Sequence, residues 1–118
     1  MKPRLEIVSV DTSIYVRLKR IVYLEAAGSY TNVYALEKRG EITSYVQSRP
    51  IGTFMNLEQH GFLRVHRSFI VHKRYVSGLG RNRTLYLSAP ENFKIVVPKA
   101  KWKMVKEQLS KQLVLPLS

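Results

Sequence analysis

The sequence predicts a mainly β protein with antiparallel hairpins, one short internal helix and a C-terminal helix. Three observations support this class. Short runs rich in β-branched and aromatic residues recur along the chain, as half-buried strands prefer. Gly, Asn, Asp and Pro punctuate these runs at close intervals, which is typical of turns. Apolar residues at helical spacing form one long stripe, near the C-terminus. With 118 residues, the chain fits a single domain, residues 1–118.

The first half of the chain divides into five strand-like segments. Asp11-Thr12, Gly28-Ser29 and Arg39-Gly40 separate them as turns. The predicted strands are 5–10, 13–18, 20–27, 31–38 and 41–46.

The second half begins with a different pattern. Pro50 stands near a helix start, and an apolar face at helical spacing over 50–59 predicts one or two turns before Gly61. A strand is expected at 62–66. The segment 68–76 fits either a short helix capped by Ser68 or a further strand.

The C-terminal part predicts a strand, a turn and a helix. Strand character at 84–88 and 93–97 flanks a turn at 89–92. Pro98 then opens a helix in which Trp102, Val105 and Leu109 form an apolar stripe that extends to 112–113, surrounded by lysines. This stripe indicates a helix packed on the core, with Trp102 inside it.

The charge of the chain is strongly positive. Twenty Lys and Arg residues against eight Asp and Glu give +12 and a pI of about 10.2. Such a surface indicates an anionic partner, which on charge alone could be nucleic acid, an anionic membrane or an acidic protein. The planar arginine side chain suits both phosphate and guanine. The cations cluster in three segments: Arg64, His66, Arg67, His72, Lys73 and Arg74; Arg81 and Arg83; and Lys94, Lys99, Lys101 and Lys103.

Other classes of function lack the residues they need. The chain has no cysteine, so a disulfide scaffold, a thiolate zinc site and a Cys nucleophile are excluded. No segment has the length of a signal peptide or of a membrane helix, and we expect a cytoplasmic protein. The carboxylates are scattered singly, and no phosphate loop or nucleophile elbow is present. We therefore expect no enzyme activity, no cofactor and no metal.

Two other residue sets leave alternatives open. His66 and His72 lie six residues apart and would share a face if one strand carried both, so a metal pair or an acid–base pair is conceivable. The tyrosines could stack single-stranded bases or pack on sheet faces. These tyrosines are Tyr15, Tyr23, Tyr30, Tyr34 and Tyr45.

Three segments resemble the LytTR DNA-binding domain of bacterial response regulators. They are residues 21–31 (IVYLEAAGSYT), residues 62–72 (FLRVHRSFIVH) and residues 95–99 (IVVPK). The second is the most specific, although His72 stands where the family usually has Asn. Order and spacing agree over a core of about 5–112.

The resemblance implies an elongated antiparallel β-sandwich whose loops, in place of a recognition helix, enter successive major grooves. By position, the family's base-contacting loops fall on Thr31, Asn32, His66, Arg67 and Lys99. Long cations around these loops are expected to meet the DNA backbone first. The predicted phosphate contacts are Arg64, Lys73, Arg74, Arg81, Arg83 and Lys101.

We therefore expect a bacterial transcription regulator that binds double-stranded DNA sequence-specifically. On repeated sites, we expect a weak or DNA-assisted homodimer. In the family the domain usually follows a phosphorylatable receiver domain, so the chain is either a stand-alone regulator or a fragment of a longer one. The alternative is a β module that binds RNA or single-stranded nucleic acid.

Overall fold

The computed structural model describes residues 2–111, which form three antiparallel sheets and one α-helix. The strands are β1 (Arg4–Val8), β2 (Ser13–Arg17), β3 (Ile21–Ala27), β4 (Tyr30–Leu36), β5 (Ile42–Gln47), β6 (Phe62–His66), β7 (Phe69–His72), β8 (Val76–Gly80), β9 (Thr84–Leu87) and β10 (Lys94–Val96). Helix α1 spans Lys99–Ser110, and 3-10 helices span Leu18–Arg20, Ile51–His60, Lys73–Tyr75 and Arg81–Arg83.

A five-stranded sheet forms the centre of the fold. Its strand order is β5-β4-β3-β7-β6. A two-stranded sheet (β1-β2) and a three-stranded sheet (β10-β9-β8) accompany it. The molecule measures 52 × 30 × 26 Å, so the predicted elongated, mainly β architecture is confirmed.

Two hydrophobic cores lie on opposite faces of the central sheet. On one face, Leu24 and Val33 pack against β1, β2 and the 3-10 helix Ile51–His60. On the other face, Tyr23 and Val71 pack against the three-stranded sheet and Val105 of α1. Because side chains alternate between the faces of a strand, a sheet covered on both sides needs apolar residues at nearly every position. The run at 21–24 meets this requirement, since all four residues are buried.

Most of the predicted elements are confirmed, with boundaries shifted by one or two residues. The internal helix is a 3-10 helix with non-helical geometry at Phe54, and it ends at Gly61 in the left-handed conformation with φ of 89°. The ambiguous segment 68–76 is strand β7 followed by a 3-10 turn. The apolar stripe of α1 faces the second core, where Val105 is buried and Trp102 and Leu109 pack against it. Its predicted extension to 112–113 lies outside the described residues.

Strand β8 is the element that the sequence does not predict. Its Gly78 and Gly80 lack the side chains that normally mark a strand. The structure supplies a substitute, because the Tyr86 ring on the neighbouring β9 lies over Gly80. Among residues 2–111, no helix is long and apolar enough to cross a membrane.

Candidate nucleic-acid interface

The two-residue turn between β6 and β7 presents an exposed arginine on a fixed backbone. Arg67 and Ser68 form this turn, and the Arg67 side chain is exposed. The Ser68 carbonyl accepts from the backbone N–H of Ala26 at 2.8 Å. The Ser68 N–H donates to Nδ1 of His66 at 3.0 Å. These bonds tie both sides of the turn to the central sheet, so Arg67 projects from a rigid support.

Arg64 adds a third bond to the same turn. Its Nη2 donates to the Arg67 carbonyl at 2.6 Å, and its Nη1 lies 3.5 Å from Sδ of Met55. Its Nε is buried and has no partner among residues 2–111. The guanidinium therefore rests on the turn at the protein surface, with only its Nε buried. Two of its five N–H donors are used in this way, so the geometry indicates that Arg64 positions the turn, and the phosphate contact expected for it stays a prediction.

Asn32 and His66 lie in one row across the central sheet. Asn32 pairs with Glu25, Glu25 with Phe69, and Phe69 with His66. With strands about 4.8 Å apart, the two polar residues are separated by roughly 14 Å. Since Nδ1 of His66 accepts a hydrogen bond, a neutral His66 carries its proton on Nε2 and can donate from there. Both side chains are half-buried.

Thr31 differs from the other residues expected to contact bases. It is fully buried, and its hydroxyl donates to the Arg49 carbonyl at 2.7 Å. Its position on β4 points it into the first core, so the structure favours a supporting role. The bond brings exposed Arg49 to the start of β4, beside exposed Tyr30. Sequence reasoning missed Arg49, because a single cation before a proline carries no specific signal.

A second cationic group surrounds the start of α1. Lys99 is exposed at the first residue of the helix, and Lys101 is half-buried two residues further on. The Arg81–Arg83 turn is held against Val97, which lies two residues before α1. The Val97 N–H donates to the Arg83 carbonyl at 2.8 Å, and the Arg83 Nε donates to the Val97 carbonyl at 2.9 Å. The structure therefore brings together four cations that are far apart in sequence.

Lys73 and Arg74 lie away from the Arg67 turn. They follow β7, whereas Arg67 precedes it, so the length of this four-residue strand, about 13 Å, separates them. Arg74 is exposed and lies over the Tyr75 ring, with 5.4 Å from its guanidinium carbon to the ring centroid. Next to them, His72 packs on Phe62, and its Nδ1 accepts from the Arg74 N–H at 3.3 Å. Burial, followed by the charges of Arg74 and Lys73, lowers the pKa of His72 to about 4.

The histidines do not form a pair. His66 lies at the turn end of the β6–β7 hairpin and pairs with Phe69, whereas His72 lies at the open end and pairs with Phe62. No group of three or more His, Asp or Glu residues within 2–111 could hold a metal ion.

The tyrosines do not form a common stacking surface either. Tyr23 and Tyr34 stack on each other with ring centroids 4.3 Å apart. Burial, with contributions from the neighbouring tyrosine and Glu25, raises the pKa of Tyr23. The strongly exposed tyrosines Tyr15, Tyr30 and Tyr86 lie on three different sheets. Packing of sheet faces is therefore the role of the stacked pair.

The fold and its surface define a class of protein: a cationic β-domain that presents arginine and lysine on turns and at a helix start. The family model described as the LytTr DNA-binding domain matches residues 11–110. This chain belongs to that family, and its family is one of DNA-binding domains.

A solved structure has the same fold. It is described as the LytTr DNA-binding domain of a methyl-accepting/DNA response regulator from Bacillus cereus. It is 24% identical in sequence, and the superposition has a TM-score of 0.71. The match covers 92% of this chain and 98% of that one. The comparison with curated proteins found no match.

Proposed function

We propose that this domain binds duplex DNA sequence-specifically as part of a transcription regulator. The observation that carries the proposal is the exposed Arg67 on a turn fixed by three hydrogen bonds. A guanidinium held on a rigid support can meet guanine bidentately without ordering the loop at the moment of binding. The charge of +12 supplies the sequence-independent attraction.

In this proposal Arg67 and Lys99 approach base edges in successive major grooves. Asn32 and His66 lie close enough to the Arg67 turn to contact the same groove or its sugar–phosphate edge. The supporting facts are the exposure of Arg67 and Lys99 and their positions on a turn and at a helix start. Phosphate contacts come from the cations near these two points and on the far side of β7: Arg81, Arg83, Lys101, Lys73 and Arg74.

Two copies would bind side by side on repeated sites, with little association in the absence of DNA. A receiver domain elsewhere in a longer chain would then control the binding. The description of the Bacillus cereus relative as a response regulator supports this role.

Selection of bound sites from a pool of random duplexes tests the proposal. We expect an enriched motif and a steep dependence of affinity on salt. Arg67→Ala should reduce affinity for the selected site by about 1–3 kcal/mol and relax preference at one position. Arg4→Ala removes another exposed arginine, on β1, and serves as the matched control. Recovery of no motif, or equal weakening of selected and random duplexes by Arg67→Ala, would contradict base reading by this turn.

Binding to RNA or to single strands is the competing function. The separation of the exposed tyrosines on three sheets weakens it, because a stacking platform needs neighbouring rings. Competition at equal salt separates the two. Duplex DNA should displace a labelled duplex at lower concentration than single strands or structured RNA of the same length.

A further inference from the structure

A cationic pocket lies at the end of the central sheet opposite the Arg67 turn. It occupies about 820 Å³ where β3 begins, β4 ends and the β4–β5 turn folds over. Leu36 is the one apolar side chain that residues 2–111 place in its lining. Five cations line it: Arg17, Lys19, Arg20, Lys38 and Arg39.

Most of this positive charge is uncompensated. Two carboxylates, Glu37 and Glu41, share the pocket. Glu37 is already engaged, because Nη2 of Arg20 donates to its two oxygens at 2.6 and 2.5 Å. Hydrogen bonding from Thr43, and then the bond and charge of Arg20, lower the pKa of Glu37, so it stays ionised and paired. Glu41 alone then faces the remaining four cations.

Those four cations are available to a ligand. Arg17, Lys19, Lys38 and Arg39 are all exposed. Within residues 2–111, none of their side chains forms a hydrogen bond or ion pair with a protein group. Like charges held around a concave surface raise the local potential and attract anions. Arginine in particular binds oxyanions with two parallel hydrogen bonds.

The pocket is distinct from the proposed base-reading turn. Arg20 precedes β3, whereas Ala26 near the other end of that strand holds the Ser68 carbonyl of the turn. The six residue steps from Arg20 to Ala26 span about 20 Å along the strand. A molecule in the pocket therefore does not touch Arg67, and a duplex seated on Arg67 reaches the pocket only by extending well beyond the turn.

We propose that this pocket binds a cluster of phosphate groups. The ligand chemistry follows from the described lining, in which four cations have no partner and one side chain is apolar, because such a cavity holds its ligand by charge. The phosphates have two conceivable sources, which are a small oligophosphate-bearing molecule and the backbone of a duplex beyond the site read by Arg67. The site does not depend on sequence-specific reading, so it goes beyond the function proposed above.

Titration with sodium triphosphate in the absence of DNA tests the pocket directly. Amide chemical shifts should change at residues 17–20 and 36–41 and saturate at one site. The double variant Arg17→Gln/Arg39→Gln should weaken binding at least tenfold. The control Lys94→Gln/Lys103→Gln removes the same number of exposed charges elsewhere and should change it less than twofold. Thermal melts establish that both variants fold.

Two outcomes would overturn the proposal. One is a titration that does not saturate, with shifts spread over the whole basic surface. The other is equal weakening in the pocket variant and in the control. Either would mean that triphosphate responds to overall charge alone.

A second arm identifies the source of the phosphates. Affinities are compared for the selected site alone and for the same site with ten added base pairs on each side. If Arg17→Gln/Arg39→Gln weakens binding to the longer duplex but not to the shorter one, the pocket binds the DNA backbone. Unchanged affinity for both duplexes, with triphosphate binding lost, assigns it to a small phosphorylated ligand. Because the first arm uses no DNA, failure of specific DNA reading leaves the test of the pocket intact.

Discussion

Replacement of Arg64 tests whether this residue positions the turn that we propose reads DNA or instead contacts a phosphate. Arg64→Gln removes the bond from Nη2 to the Arg67 carbonyl, which measures 2.6 Å. Loss of a hydrogen bond to a charged group costs about 1.5–3 kcal/mol. We take the lower value because the turn lies at the surface. Affinity for the selected duplex should then fall about tenfold, whereas affinity for random duplex should change much less, since Arg67 keeps its charge.

Fluorescence anisotropy at several salt concentrations measures the two affinities and their salt slopes. The slope should stay unchanged, because a positioning residue neutralises no phosphate. Loss of a true phosphate contact would lower the slope by about one and weaken both duplexes alike. Arg64→Lys sharpens the distinction. Lysine keeps the charge that a phosphate contact needs but lacks the fork that spans Arg67 and Met55.

A double-mutant cycle decides whether Arg64 acts through Arg67. In an Arg67→Ala background, Arg64→Gln should have little further effect on the specific duplex, because the side chain that the turn presents is gone. Additive losses would refute the reasoning. The reasoning would also be refuted if Arg64→Gln lowered the salt slope by about one while Arg64→Lys bound DNA normally.

Three further substitutions test how the fold supports this surface. The pKa of His72 is about 4 in the folded protein and 6.5 in the unfolded chain, so the unfolded chain binds a proton first as the pH falls. The free energy of unfolding should therefore decrease by about 1–2 kcal/mol between pH 6.5 and pH 4. Urea denaturation of His72→Asn should lack this decrease, and an identical decrease in the variant would exclude His72 as its cause. Gly80→Ala places a Cβ 2.8 Å from Cε2 of Tyr86, so the free energy of unfolding should decrease by about 1 kcal/mol. In a Tyr86→Ala background Gly80→Ala should cause no such decrease, and a decrease there would point to the backbone instead. Tyr34→Phe removes the hydroxyl that donates to Glu25 at 3.1 Å and should lower the free energy of unfolding by about 1 kcal/mol with DNA affinity unchanged; a change in specificity without loss of stability would contradict a purely structural role.

Hydropathy patterning predicts those parts of the fold in which local sequence and burial agree. The run at 21–24 is apolar throughout because both faces of β3 are covered, and this signal is readable without a structure. Strand β8 has no such signal. The Tyr86 ring of a neighbouring strand covers Gly80. A side chain that covers a glycine from across a sheet leaves no signal in the sequence at the glycine itself. The 3-10 geometry of Ile51–His60 is hidden for a similar reason, since the apolar spacing fits one or two turns of either helix type.

The candidate interface shows the same limit more sharply, because charge is visible in a sequence but its partners are not. Arg64 and Arg67 stand three residues apart and read alike as cations. The hairpin turns one inward, onto the carbonyl of the other, and leaves the other exposed. Lys73 belongs to the same sequence cluster, yet β7 carries it to the opposite end of the sheet. At that end, Tyr75 of the same 3-10 helix donates to the Lys19 carbonyl. A basic segment therefore identifies an anionic partner, but the strand pairing decides which of its cations can touch that partner together.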